Sequence, residues 1–153
     1  AGALGGRVVC VRSGLVLAKG GGALAKMLPP FRLCLGGPLG SGRQWLSWID
    51  RKDLVGILLM ALENTKVSGP VNATAPDPVQ MREFAAALGR VLRRPAMIPV
   101  PGFVLRVLLG EMATVLLSGQ KILPQAAQRH GYKFMQPSLQ QSFTSILLPK
   151  KFF

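Results

Sequence analysis

The chain has 153 residues, nearly half of them apolar, and carries 19 Lys and Arg against 6 Asp and Glu, a formal charge of +13. That is one domain's worth of globular composition with room for one real core, not a disordered chain. Two cysteines and one histidine exclude a disulfide framework and a multi-histidine metal site, and the positive charge implies an anionic partner or a basic surface.

Residues 7–12, RVVCVR, form a β-branched run bounded by glycines, which predicts a strand buried on both faces of a parallel sheet. Cys10 within it is expected to be a buried free thiol. Residues 13–16 then form the loop at its carboxyl end, where open α/β sheets bind ligands. Glycines 20–22 break the chain, and residues 23–28 form a short helix stopped by Pro29 and Pro30.

The central stretch, residues 35–62, reads LGGPLGSGRQWLSWIDRKDLVGILLMAL. Its loop holds Gly36, Gly37, Gly40 and Gly42, which let the backbone turn sharply and approach a ligand. Free N–H groups ending in Arg43 suit a phosphate oxygen, although a plain turn explains the same glycines. Trp45, Leu46, Trp48 and Ile49 predict one short buried strand. Asp50 is placed to N-cap the next helix, with Asp53 at the third helical position as in a capping box. Leu54, Ile57, Leu58, Ala61 and Leu62 fall on one helical face.

Asn64 and the turn at 68–70 end that helix, and residues 71–75 predict a second strand. Asp77, Pro78 and Gln80 predict a helix start with Asp as N-cap, Pro at N1 and Gln at N3. Phe84, Ala85, Leu88, Val91 and Leu92 form its buried stripe. Residues 95–99 are extended, and residues 100–117 read as one or two buried helices, since Pro101, Arg106, Gly110 and Glu111 interrupt any membrane span. Residues 124–129 predict a short helix closed by Gly131. Residues 137–148 predict the last helix, with Leu139, Phe143, Ile146 and Leu147 on one face, and residues 149–153 a frayed tail. The pattern is α/β at the front and helical at the back.

The chemistry is incomplete. There is no G-x-G-x-x-G turn, no phosphate-loop lysine and no Tyr-x-x-x-Lys pair, because Tyr132 is followed by Gln136. His130 reads as a helix-terminal residue. Helix capping accounts for Asp50 and Asp53. Asn72-Ala73-Thr74 matches a glycosylation sequon, which the absence of a secretory signal discounts. Nucleic-acid binding is disfavoured, since few aromatics interleave with the basic residues and no recognition motif accompanies them. No complete catalytic set can be assembled, so the catalytic residues stay unknown and no metal site is expected. The chain begins at Ala1 without Met, which suggests a fragment or a processed product.

The blocks VRSGLVLAKGGGALAKMLPPFRL, LGGPLGSGRQWLSWI, DLVGILLMALEN, GPVNATAP, RPAMIPVPGFVLRVLLGEM and GQKILP resemble the epimerase family of atypical extended short-chain dehydrogenase/reductases, the nucleoside-diphosphate-sugar epimerase-like or SulA-like proteins. The resemblance runs from about residue 7 to about residue 147 and covers the family's carboxyl-terminal half. It implies the last strands of a Rossmann-like parallel sheet in residues 1–94, followed by a small, mostly helical carboxyl-terminal domain in residues 95–148. It implies NADP(H) for the whole parent, with Val16, Gly14 and Leu15 towards the nicotinamide end of the cofactor. It also implies a nucleotide-sugar-like substrate, faced by the loop of Gly40 and Gly42 with Arg43 as anion contact. Where the family usually reads Trp-Ile-His, this chain has Trp48-Ile49-Asp50, which favours capping over a substrate role. The acid/base residues would lie in an amino-terminal half carrying the glycine fingerprint. A non-enzymatic module pairing with that half, or with itself through an open sheet edge, is the rival reading, and a basic nucleic-acid binder the weaker one. The expected location is the cytoplasm, or a plastid or mitochondrion in a eukaryote.

Overall fold

The computed structural model describes residues 6–99 and 119–148. The helices expected within 100–117 and the tail at 149–153 lie outside the described residues.

Two parallel ladders run through the front of the molecule. Strand β1 (Val9–Ser13) pairs with β5 (Gly69–Ala73), and β2 (Leu15–Leu17) pairs with β4 (Trp48–Asp50). Gly14 joins β1 to β2, so the expected ligand loop at 13–16 is a single residue between two strands. A β-carbon there would collide with the Ser47 carbonyl oxygen and press on Thr74 Cγ2, so this glycine serves close packing of backbone on backbone. The aromatic strand is also two pieces. Strand β3 (Trp45–Leu46) pairs antiparallel with β6 (Val79–Gln80), and Ser47 separates it from β4.

β5 starts at Gly69 rather than Val71, and it tolerates Pro70 for a simple reason. The Gly69 N–H donates to Val8 O and the Gly14 N–H donates to Ala73 O. Alternation in a parallel ladder then turns residue 70 away from β1, where its missing donor is not needed.

Helix α1 (Gly22–Arg32) runs through Pro29 and Pro30 instead of stopping before them. The prolines remove two donors from its last turns, but their own carbonyls still accept from Leu33 and Leu35. Met27 and Phe31, both buried, hold the last turn against the core. Helix α2 (Arg51–Glu63) has Asp50 as N-cap, its carboxylate accepting from the Lys52 N–H at 2.8 Å. Ile57 and Ala61 are buried as expected, whereas Leu58 and Leu62 are exposed.

Helix α3 (Met81–Leu92) has its N-cap at Gln80 rather than at Asp77, so it begins later than the Asp77-Pro78 signature suggests. Pairing of β6 with β3 holds residues 79 and 80 extended, and the Asp77 carbonyl accepts from the Trp48 indole at 2.9 Å. The Gln80 N–H donates instead to the Glu83 carboxylate. Helices α4 (Gln125–Arg129) and α5 (Leu139–Leu147) lie close to where their sequence signals put them, with Ser138 capping α5.

The core has two parts. One gathers Leu17, Leu24, Phe31, Trp48, Phe84, Leu88, Leu139 and Phe143 among α1, α3 and α5. The other gathers Ile49, Ile57, Ala61, Val67, Val71 and Ala127 between α2, α4 and the β1–β5 ladder. β1 is covered on one face only: Val9 and Val11 pack on the second cluster, while Cys10 and Arg12 are exposed. The buried thiol expected at Cys10 is therefore a surface one.

Arg7 has a role that its place in an apolar run does not suggest. Its guanidinium donates to the carbonyls of Ala61 at 2.6 Å, Leu62 at 3.1 Å and Val67 at 2.9 Å, closing the carboxyl end of α2. The Ala61 and Leu62 carbonyls belong to the negative pole of the helix, so the cation is favourable there. Arg7→Ala is expected to lower stability by about 1–2 kcal/mol in urea unfolding; an unchanged midpoint would mean solvent replaces the contacts freely.

Candidate functional site

The carboxyl ends of β1 and β5 meet the start of β4 at Ser13, Gly14, Ser47, Ala73 and Thr74. The segment 119–123 crosses this junction as a strap. The Ser47 hydroxyl donates to Gln120 O at 2.7 Å and accepts from the Ile122 N–H at 2.9 Å. The Thr74 hydroxyl donates to Ile122 O at 3.3 Å, and the Asn72 amide to Leu123 O at 3.4 Å. Gly119 fits only because it has no β-carbon, which would collide with the Trp45 carbonyl oxygen.

Beside the strap lies an open cleft of ≈ 480 Å³, bordered by Trp45, Asp77, Glu83, Lys121 and Leu123. The Lys121 ammonium sits 4.5 Å from the centre of the Trp45 ring, a cation–π contact. The cleft thus combines an aromatic face and one cation with two carboxylates across from them.

The six residues singled out in the sequence fall in two places. Gly14, Leu15 and Val16 lie in the sheet at the junction. Leu15 pairs with Trp48 and packs on the first core cluster; Val16 pairs with Ile49 and packs on the second. Gly40, Gly42 and Arg43 form a separate turn before β3. Gly40 and Gly42 have φ of 59° and 69°, the left-handed region where glycine costs least. The turn's amides are not free as expected: Gly42 N–H donates to Leu39 O and Arg43 N–H to the Ser41 hydroxyl. Its carbonyls face α3, with Gly42 O accepting from Arg82 N–H and Gln44 O from Met81 N–H. Gly36 and Gly37 are likewise packing glycines, set against the Phe31 ring and the Ile98 backbone. The Arg43 side chain is exposed.

The two carboxylates at the start of α2 bond to residues far beyond that helix. Asp50, 3 % exposed, also accepts from the Ser142 hydroxyl of α5 at 2.7 Å. Asp53, wholly buried, makes no capping box. It accepts from the Tyr132 hydroxyl at 3.0 Å, the Met135 N–H at 2.7 Å and the Gln136 N–H at 2.9 Å. Both carboxylates therefore fasten the helical back of the chain to α2, near the sheet. Aspartate at N3 is visible in sequence; its partners, some eighty residues on, are not.

Tyr132 packs edge-on to Phe134 and closely over Gly56. Burial first, then its hydrogen bond to Asp53 and the negative charge there, push its phenol pKa well above the ordinary value. A raised folded-state pKa means the neutral phenol contributes stability in full below the ordinary tyrosine pKa, about 10, and loses it as pH climbs beyond. It is the sole tyrosine, so the phenolate absorbance near 295 nm reports it alone. The band is expected to stay absent past pH of about 10 and to rise together with unfolding; an ordinary titration with the fold intact would contradict this contact.

Parallel strands, crossovers through helices and a helical back define a Rossmann-like α/β architecture. In sequence and in fold the chain corresponds to the carboxyl-terminal half of the epimerase family of atypical extended short-chain dehydrogenase/reductases. Residues 100–146 match the family described as "Domain of unknown function (DUF1731)". The chain is 49% identical over 141 residues to the epimerase family protein SDR39U1 homolog, chloroplastic, of Arabidopsis thaliana, covering 92% of this chain and 41% of that protein. It superposes on the human epimerase family protein SDR39U1 (isoform 2), solved with NADPH, with a TM-score of 0.86 at 44% identity, covering 94% of this chain and 49% of that one. A nucleoside-diphosphate sugar epimerase from Corynebacterium glutamicum aligns with a TM-score of 0.69 at 27% identity, covering 95% and 27% respectively. The chain spans about half the length, or less, of the proteins it matches. Among the described residues no helix is long and apolar enough to cross a membrane.

Proposed function

We propose that this chain supplies the carboxyl-terminal part of an NADP(H)-dependent epimerase or oxidoreductase acting on a nucleotide-sugar-like substrate. The observation that carries the reading is the strapped junction at the carboxyl ends of β1 and β5, on a fold shared with a human protein solved with NADPH. The division at residue 94, with residues 1–94 as sheet region and 95–148 as helical domain, belongs to the same proposal. The residues present are compatible with the cofactor's nicotinamide end in one respect: Ser13 is exposed at the strand end beside Gly14. Bound there, the cofactor would supply hydride transfer. The chain's own contribution is to shape and dry that end of the site, with Arg43 as the substrate's anion contact.

The test is a fluorescence titration with NADPH. The isolated chain is expected to bind weakly or not at all, because it has no glycine fingerprint. A single-chain fusion to the amino-terminal half of the human relative is expected to bind in the micromolar range. Ser13→Asp in that fusion, which sets a charge against an anionic cofactor, should weaken binding about tenfold. A folded fusion that ignores NADPH, or binds it equally with Asp at position 13, overturns the reading.

A further inference from the structure

An open groove of ≈ 550 Å³ runs between α3 and the start of α5. Arg82 and Arg90 border it from α3 and Ser138 from the α5 side. Ala87 and Leu139, both buried, line it between them. The two arginines are exposed. Among the described residues neither guanidinium has an ion-pair or hydrogen-bond partner. The Ser138 hydroxyl accepts from the Gln141 N–H at 3.3 Å, so its own proton remains to be donated. The groove thus offers two cations and a donor beside an apolar strip, on a chain whose formal charge of +13 calls for an anionic partner.

The spacing of the arginines selects among anions. Arg82 and Arg90 lie eight positions apart on one helix, about 12 Å along its axis at 1.5 Å per residue. An extended peptide covers about 13 Å in four residues and sets residues i, i+2 and i+4 on one side. Carboxylates at i and i+4 can therefore meet both guanidiniums, with an apolar side chain at i+2 over Ala87 and Leu139. A second copy of this chain does not supply that pattern. Of its six acids, Asp50 and Asp53 are buried, Asp77 and Glu83 border this same groove, and Glu63 and Glu111 are far apart in sequence. A nucleic-acid strand fits less well, because its phosphates repeat without a break and would set some of them against Asp77 and Glu83.

We propose that the α3–α5 groove is a docking surface for an extended acidic segment of another protein, whose carboxylates, four residues apart, are held by Arg82 and Arg90. Neither Arg43 nor the strand junction takes part, so this surface stands or falls apart from the proposed function.

The test is an NMR titration of the 153-residue chain with the peptide acetyl-SGESLSEGS-amide at about 50 mM salt. Saturating shifts are expected at the amides of Ala87, Arg90 and Leu139, with a Kd of about 1 mM, since exposed ion pairs are individually weak. Raising the salt to about 300 mM should weaken binding about threefold. The same peptide with glutamine for both glutamates needs no change in the protein and should bind about tenfold more weakly. Arg82→Gln with Arg90→Gln should give a loss of the same size, with the circular-dichroism spectrum unchanged. Arg129→Gln, at an exposed arginine on α4, should leave binding as it was. Absence of shifts in the groove, equal binding of the glutamine peptide, or indifference to the arginine pair each overturns the proposal. So does tighter binding of an oligouridylate at the same amides, or self-association of the chain that shifts them without peptide.

Discussion

Asp53→Ala is expected to cost about 4 kcal/mol of unfolding free energy. The side chain is wholly buried and takes three hydrogen bonds, none of them from a cation. Its removal leaves the Met135 and Gln136 amides without an acceptor, while the Tyr132 hydroxyl keeps only the Asp53 carbonyl at 3.2 Å. An unsatisfied buried donor costs about 1–3 kcal/mol, so the amides dominate the loss. Asp53→Asn should recover only part of it. One asparagine atom is itself a donor, and with amides approaching both oxygen positions it must face one of them. Urea unfolding gives the magnitude. Amide exchange at Met135 and Gln136 gives the location, since both should speed up before the rest of the fold opens. A loss below about 1 kcal/mol would mean that the 132–136 loop is not anchored through this carboxylate.

Phe84→Ala is the second large loss, expected at about 3–5 kcal/mol. Phe84 is fully buried on α3 and meets Phe143 of α5 edge-on, with ring centres 5.0 Å apart and planes at 78°. Most of the cost is the cavity left between helices. The ring geometry itself is worth about 1 kcal/mol. A double-mutant cycle with Phe84→Leu and Phe143→Leu isolates that part, and additive losses would show that the rings pack without a specific contribution from their geometry. The same cycle reports how firmly α5 is held to α3, because the phenylalanine pair and the Asp50–Ser142 bond both join α5 to the earlier part of the chain.

The elements that sequence reading recovers are those whose signals are local. α3 shows its stripe of Phe84, Ala85, Leu88 and Val91, α2 shows Asp50 before it, and α5 shows Leu139 and Phe143 on one face. The misplacements come from distant partners. Pro29 and Pro30 look like a stop, yet Met27 and Phe31 find a core that keeps the turn helical. Asp77-Pro78 is a sound local start signal, overridden because residues 79 and 80 are claimed by β3. Cys10 sits in an apolar run, but only one face of β1 has anything packed on it.

At the site, the same division holds. Gly40 and Gly42 are turn glycines as their pattern suggests, but the amides of residues 42 and 43, read from sequence as free, have acceptors within the turn. The strap at 119–123 and the lock on Asp53 had no sequence signal. A serine, a threonine and an aspartate become informative only when the chain brings carbonyls and amides to them from far away.

The pairing of β1 with β5 also governs how the chain can be made. Val9 leaves the ribosome long before Gly69, its partner in the ladder. Until then the nascent segment presents an apolar, β-prone run with nothing to hydrogen-bond, flanked by the cation at Arg7 and the charge at Arg12. Those two charges act as gatekeepers against premature association. Synthesis of this region therefore passes through a window in which those flanking charges are what limits association of the run.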